Sequence, residues 1–141
     1  MILGIVLVIN KNQIITNYYN TWQVFYSNDY SKFEENMPYN VYVIELDKEV
    51  LISKKFREKN PYMNTRLACY YVGQTTHDPT IRFKQHKTGY KANRFVKKYG
   101  TRLVPQIFMK FNPIAKRKEA EFLEQWIAEK LREKGHGVWS N

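Results

Sequence analysis

Three side chains able to handle phosphate lie close together in this chain. Tyr71, in the run Tyr70-Tyr71-Val72-Gly73-Gln74-Thr75, is followed by Arg82 and His86. A guanidinium takes two phosphate oxygens at once in a fixed fork, and a phenol and an imidazole hold or move protons beside it. The run reads as a strand that ends on a glycine and drops its last polar groups at a helix start. Asp78-Pro79 opens that helix, with Asp at the N-cap and Pro at the first helical position. Arg82 and His86 are then i, i+4 neighbours projecting from one helix face. The combination suits an anionic, phosphate-bearing substrate.

One carboxylate is placed where solubility does not want it. On a wheel at about 100° per residue, Ala120, Leu123, Ile127 and Leu131 make an apolar stripe with Trp126 and Ala128 on its shoulders. Glu119, Glu121, Glu129 and Glu133 fall outside the stripe, whereas Glu124 falls inside it, roughly 20° from Leu131 and 40° from Ala120. An acid facing the core costs stability unless it is paired or bound to a cation. Two readings follow. One is a salt bridge to a nearby Arg. The other is a ligand for a hard cation such as Mg²⁺, facing the cleft that holds Arg82.

The elements that must carry these residues follow from the pattern. Strands are expected at 41–46 and 67–73, the second central because its apolar run is unbroken. Residues 47–66 are polar, with a short helix at 50–57 that ends in the Asn60-Pro61 turn. Helices are expected at 79–87 and 92–99, stopped by Gly89 and Gly100. A third strand is expected at 103–111, with Pro105 putting it at an edge or near its start. The longest helix spans 115–134, with Gly135 after it. The order β, β, α, α, β, α describes a small α/β sandwich.

Charge points to the partner. The chain has 141 residues, one domain's worth of core, and a net charge of +10. From 79 to 118 there are twelve Lys and Arg and no Asp or Glu; Lys84, Lys87, Lys91, Arg94, Lys97 and Lys98 form its centre. A solvated face normally mixes signs, so a one-sign run implies nucleic acid. Tyr90, Phe95 and Tyr99 interleave with these cations and could meet bases, though at helical spacing such rings are more often core. The single cysteine, Cys69, excludes an intrachain disulfide and reads as a buried strand residue in a cytoplasmic protein. The longest apolar stretch, 1–9, is far short of the roughly 20 residues of a membrane span, so no membrane partner is expected.

With Tyr42 added, the set resembles the GIY-YIG nuclease family. Val41-Tyr42-Val43 and Tyr71-Val72-Gly73 stand for the two namesake tripeptides, and Arg82, His86 and Glu124 follow in the family's order, with Asn141 for its late asparagine. The likeness covers 39–141, and the phrase His86-Lys87-Thr88-Gly89-Tyr90-Lys91-Ala92-Asn93-Arg94-Phe95 looks like a stand-alone bacterial branch. The resemblance implies a small mixed, mainly antiparallel three-stranded sheet flanked by helices. It also implies a Mg²⁺- or Mn²⁺-dependent DNA endonuclease, with RNA left open as substrate. Tyr42, its phenol acidified by the local positive field, would be the base, and Arg82 would stabilise the phosphoryl charge. Tyr71 and His86 would orient water and phosphate. Glu124 would bind the metal, and Gly73 would let the substrate come close. Val41 replaces the family's glycine, and the long stretch between the tripeptides is expected to loop out.

Two rivals belong to other classes: a nucleic-acid-binding module without turnover, and a nuclease subunit whose protein partner selects the target. Residues 1–36 differ from the rest. They carry two Lys and three acids, leaving 21 Lys and Arg against 10 acids in 37–141. Strands at 2–9, 13–19 and 22–26 would make them a small β extension. Alternatively, Glu34-Glu35-Asn36-Met37 can be encoded as a purine-rich ribosome-binding sequence just upstream of a start codon, so that translation begins at Met37. Intact mass of the natively expressed protein tests this, and a product carrying 1–36 refutes it.

Overall fold

The computed structural model describes Met37–Asn141; the strands expected at 2–9, 13–19 and 22–26 lie outside the described residues. Two strands dominate the sheet. β1 (Asn40–Leu46) pairs antiparallel with β2 (Cys69–Thr75), with Tyr42 opposite Gly73 and Ile44 opposite Tyr71. Side chains alternate between faces, yet Val41, Tyr42, Val43, Tyr71 and Val72 are all essentially unexposed. The pair is therefore covered on both faces, as its near-continuous apolar sequence requires. β3 (Gly100–Leu103) joins the free edge of β1 antiparallel, and β4 (Gly137–Ser140) runs parallel to β2. The result is an α/β fold on a four-stranded mixed sheet of order β3-β1-β2-β4. That is one strand more than expected, because β4 is a four-residue segment directly behind a long helix.

The helices are α1 (Lys54–Lys59), α2 (Pro79–Thr88), α3 (Arg94–Tyr99), α4 (Pro105–Phe108) and α5 (Arg117–Glu133). α2 has the expected ends: the Asp78 carboxylate accepts the Thr80 N–H at 2.8 Å, Pro79 opens the helix, and Gly89 closes it at φ 95°. α5 packs on β1, β2 and β4 and buries Ala120, Ile127, Ala128 and Leu131. Among the described residues no helix is long and apolar enough to cross a membrane.

Two expectations are corrected. No strand runs from 103 to 111: β3 ends at Leu103, and α4 is followed by a 3-10 turn at Met109–Phe111. Val104 and Phe108 are buried at helical i, i+4 spacing, and Pro105, lacking an N–H, fits the first helical position at no cost. The insertion between the tripeptides does not loop out either. Asp47 caps a 3-10 turn (Lys48–Ile52), Ser53 caps α1, and Val50 and Phe56 are both at 0% exposure. Buried Asn60 accepts the Val138 N–H at 2.8 Å and donates to the Phe56 carbonyl at 2.9 Å, which pins the insertion to β4. Phe56 meets the Phe95 ring at 5.9 Å, and Phe95 meets Trp139 at 4.5 Å. A Cβ at Gly137 would lie 2.8 Å from the Phe56 ring. The insertion thus supplies core. Phe56→Ala should cost about 3–5 kcal/mol of stability in urea unfolding, the usual loss for a buried aromatic; a change below about 1 kcal/mol would mean the segment does loop out.

Candidate active site

The antiparallel register puts Tyr42 and Tyr71 on the same face of the sheet, diagonal across the β1–β2 pair, with ring centroids 5.9 Å apart. Gly73 lies directly opposite Tyr42, and a Cβ there would come within 2.8 Å of Tyr42 Cζ and Oη and of Tyr71 Cε1. Gly73 therefore makes room for two phenols. Gly73 is itself buried; the resemblance has it let the backbone approach a substrate closely.

His86 is the buried residue of α2, with its ring 6.0 Å from that of Tyr42 and 5.7 Å from that of Tyr71. Its Nδ1 accepts the Asn93 backbone N–H at 3.0 Å, and its Nε2 lies 2.8 Å from Tyr42 Oη. A nitrogen that accepts a backbone N–H carries no proton itself. The neutral ring is thus the Nε2–H tautomer, donating to Tyr42 Oη. Burial, and then the Arg82 guanidinium, push the His86 pKa down to about 4, so the ring is neutral near pH 7. The sequence pattern alone does not single out Asn93. Its one signal is an Asn at a helix start, and its side chain caps α3 by accepting the Phe95 N–H at 2.9 Å.

Tyr42 itself is not acidified. Burial, then the neighbouring Tyr71 phenol, push its pKa well above the ordinary value, and Arg82 offsets this only in part. The expected lowering by a positive field fails because a ring at 1% exposure loses more by desolvation than one guanidinium returns. Burial likewise pushes Tyr71 up.

The chain of contacts continues through Asn141. Its Nδ2 donates to Tyr71 Oη at 3.1 Å, and its backbone N–H donates to Glu124 Oε1 at 3.2 Å. Its carbonyl accepts from Gln125 Nε2 at 2.8 Å, and its Oδ1 from Asn93 Nδ2 at 3.4 Å. Glu124 is 5% exposed, and no ion pair reaches it among the described residues, so the salt-bridge reading is not realised. Burial, aided by Glu121, pushes its pKa up to about 7 against the Asn141 N–H and Lys59.

Glu124 borders a cavity of about 500 Å³ lined by Gln74, Arg117, Glu121, Glu124, Gln125 and Asn141. Arg117 is ion-paired to Glu121 at 2.8 Å, and the other lining side chains offer carboxylate and amide oxygens of the kind a hard cation takes. Among the described residues no group of three or more His, Cys, Asp and Glu could form a closed metal cage. The donor set fits a cation held by one buried carboxylate together with water and substrate oxygens.

Arg82 is half-buried and already engaged. Its Nη1 donates to Gln85 Oε1 at 3.1 Å and to the Tyr90 carbonyl at 3.4 Å, and its Nη2 to the Lys91 carbonyl at 2.9 Å. These bonds use only part of the five N–H donors of the guanidinium. Among the expected nucleic-acid contacts, Lys84, Lys87, Lys91, Arg94, Lys97 and Lys98 are exposed. Lys87 also holds the end of α3, donating to the Lys97 and Gly100 carbonyls at 3.2 and 2.9 Å. Phe95 and Tyr99 belong to the core, and of the three interleaved rings Tyr90 alone is exposed. Comparisons with protein families, with curated proteins and with solved structures find no match to this chain.

Glu124 and His86 give the stability a legible pH dependence. Between about pH 4.5 and 6.5 the folded protein holds a proton on Glu124 that the unfolded chain has lost, so that contribution falls as pH rises. Over the same window the unfolded chain protonates His86 and the folded protein does not, so that contribution is lost as pH falls. Each is worth about 3 kcal/mol, and the two cancel. Glu124→Gln should unmask the His86 slope: in chelator-containing buffer, urea unfolding should show the variant losing stability from pH 7 to pH 5 by about 2–3 kcal/mol more than the parent. Equal profiles for the two proteins would contradict these assignments.

Proposed function

We propose that this protein is a metal-dependent nuclease of the GIY-YIG type that hydrolyses phosphodiester bonds in DNA. One observation carries the reading. Tyr42, Tyr71, His86, Glu124 and Asn141, drawn from β1, β2, α2, α5 and the residue after β4, join in one network of hydrogen bonds and ring contacts. A core built for stability alone has no reason to gather two phenols, an imidazole and an unpaired carboxylate. The likeness rests on β1, β2, α2 and α5. The packed insertion with α1, and β4, are additions to the expected three-stranded pattern.

Glu124, with the amide oxygens beside it, would hold Mg²⁺ or Mn²⁺, which supplies neutralisation of the scissile phosphate and the leaving oxygen when bound. The chain's own residues do the rest. Arg82 offers its remaining N–H groups to phosphoryl oxygens while its loop bonds hold it in place, and it stabilises the charge that builds there. Tyr42 takes the proton of the attacking water as phenolate, a state supported by the His86 Nε2–H and by Arg82. Because its pKa stands high, only a small fraction is phenolate near neutrality, and the rate should rise with pH through the neutral and mildly alkaline range. Asn141 orients the Tyr71 hydroxyl.

A second reading has its own support. A buried, neutral Tyr42 and an Arg82 satisfied by backbone carbonyls also describe a binding module without turnover. Cleavage assays on a panel of duplex, branched and single-stranded DNA with Mg²⁺ or Mn²⁺ separate the two. Glu124→Ala should lower cutting at least about 100-fold and leave binding within about threefold. Undiminished cutting by the variant removes Glu124 from the chemistry. Strong, salt-sensitive binding with no cutting by the parent protein selects the binding module.

A further inference from the structure

The loop between α2 and α3 is tied to the candidate site at both ends. The Tyr90 and Lys91 carbonyls accept from Arg82, and the Asn93 N–H holds His86 Nδ1. Gly89 at φ 95° and Lys91 at φ 42° turn the backbone on either side of Tyr90, and the Tyr90 N–H bonds the Gln85 carbonyl at 3.0 Å. With its backbone committed inward, Tyr90 leaves its ring 57% exposed. Lys91 Nζ stands 5.6 Å from the ring centroid, and the surrounding sequence from 79 to 118 holds no acid. A flat aromatic surface beside a phosphate-binding cation is what a base and its own phosphate require.

We propose that Tyr90 stacks an unpaired base of the substrate next to the site, so that the preferred nucleic acid is single-stranded or locally unpaired. This rests on the nuclease reading only for its substrate being nucleic acid. In an intact duplex the base faces are covered by their neighbours, and a ring reaches a π-face only at a strand end, a bulge, a branch or an extruded nucleotide. The exposed cations nearby contact phosphates in any form of nucleic acid, so the ring is the group that tells the forms apart.

The test is binding of the full chain to a fluorescent oligonucleotide on the order of 12 nucleotides, single-stranded or as its duplex, in chelator so that nothing is cut. The parent protein should prefer the single strand. Tyr90→Ala should weaken single-strand binding about 5- to 50-fold and duplex binding less than about twofold, while Tyr90→Phe, which keeps the ring, stays within about twofold for both. Equal losses for the two forms, no loss, or a Phe variant as weak as the Ala variant overturn the stacking role while leaving the nuclease reading in place. A parent protein that binds neither form overturns both.

Discussion

A single backbone hydrogen bond, from the Asn93 N–H to His86 Nδ1, sets the polarity of everything around the paired tyrosines. Were that nitrogen free to carry the proton, Nε2 would accept from Tyr42 and the imidazole would pull on the phenol. With Nδ1 occupied, the proton sits on Nε2 and is given to Tyr42 Oη. The ring is thereby a fixed donor that supports a phenolate and cannot itself remove the phenol's proton. The bond comes from the N-cap residue of α3, so the geometry of the α2–α3 loop and the protonation of a buried ring are one problem. The same loop returns two carbonyls to Arg82 and keeps its guanidinium within electrostatic reach of His86.

Around this donor the interior is arranged to be electrically quiet. Burial favours the neutral forms of His86, Tyr42, Tyr71 and Glu124 alike, because each pays a desolvation cost on ionising. Fixed positive charges stand outside it on exposed side chains, among them Lys84, Lys91, Arg94, Lys97 and Lys98. Such a site carries less charge than its residue types suggest. A cation brought to Glu124 would favour the carboxylate form that burial opposes. Gly73 is the steric counterpart: its missing Cβ lets the two phenols pack at the sheet surface, so any side chain there would disperse the cluster.

How much of this the sequence showed depends on whether a signal was local. β1, β2 and α2 carry their own period, caps and stop residues, and they appear within two residues of where the pattern puts them. Glu124 announced itself as a carboxylate on an apolar stripe, and the structure buries it there. The misses are all tertiary. The α4 segment offers the apolar spacing of either a strand or a helical turn, and the packing of Val104 and Phe108 decides for the helix. The insertion looked like a polar loop because two of its residues, Phe56 and Asn60, do the anchoring. Asn93 and Gly73 act through atoms that every residue or no residue has, a backbone N–H and an absent Cβ, and such roles leave little trace in side-chain patterns.

Exposure orders the events of the proposed reaction. Lys84, Lys91, Arg94, Lys97 and Lys98 meet solvent directly, Glu124 borders a cavity, and Tyr42 and Tyr71 are each 1% exposed. Under the proposed reaction a substrate would meet charge first and the phenols last. Asn141 stands at that last step, bonded to Tyr71, Glu124, Gln125 and Asn93 together. Its backbone N–H takes one carboxylate oxygen of Glu124, while its side-chain amide holds the Tyr71 hydroxyl. The carboxylate that would hold the cation and a phenol beside the proposed base are thus positioned by one residue, so that placing either one places the other.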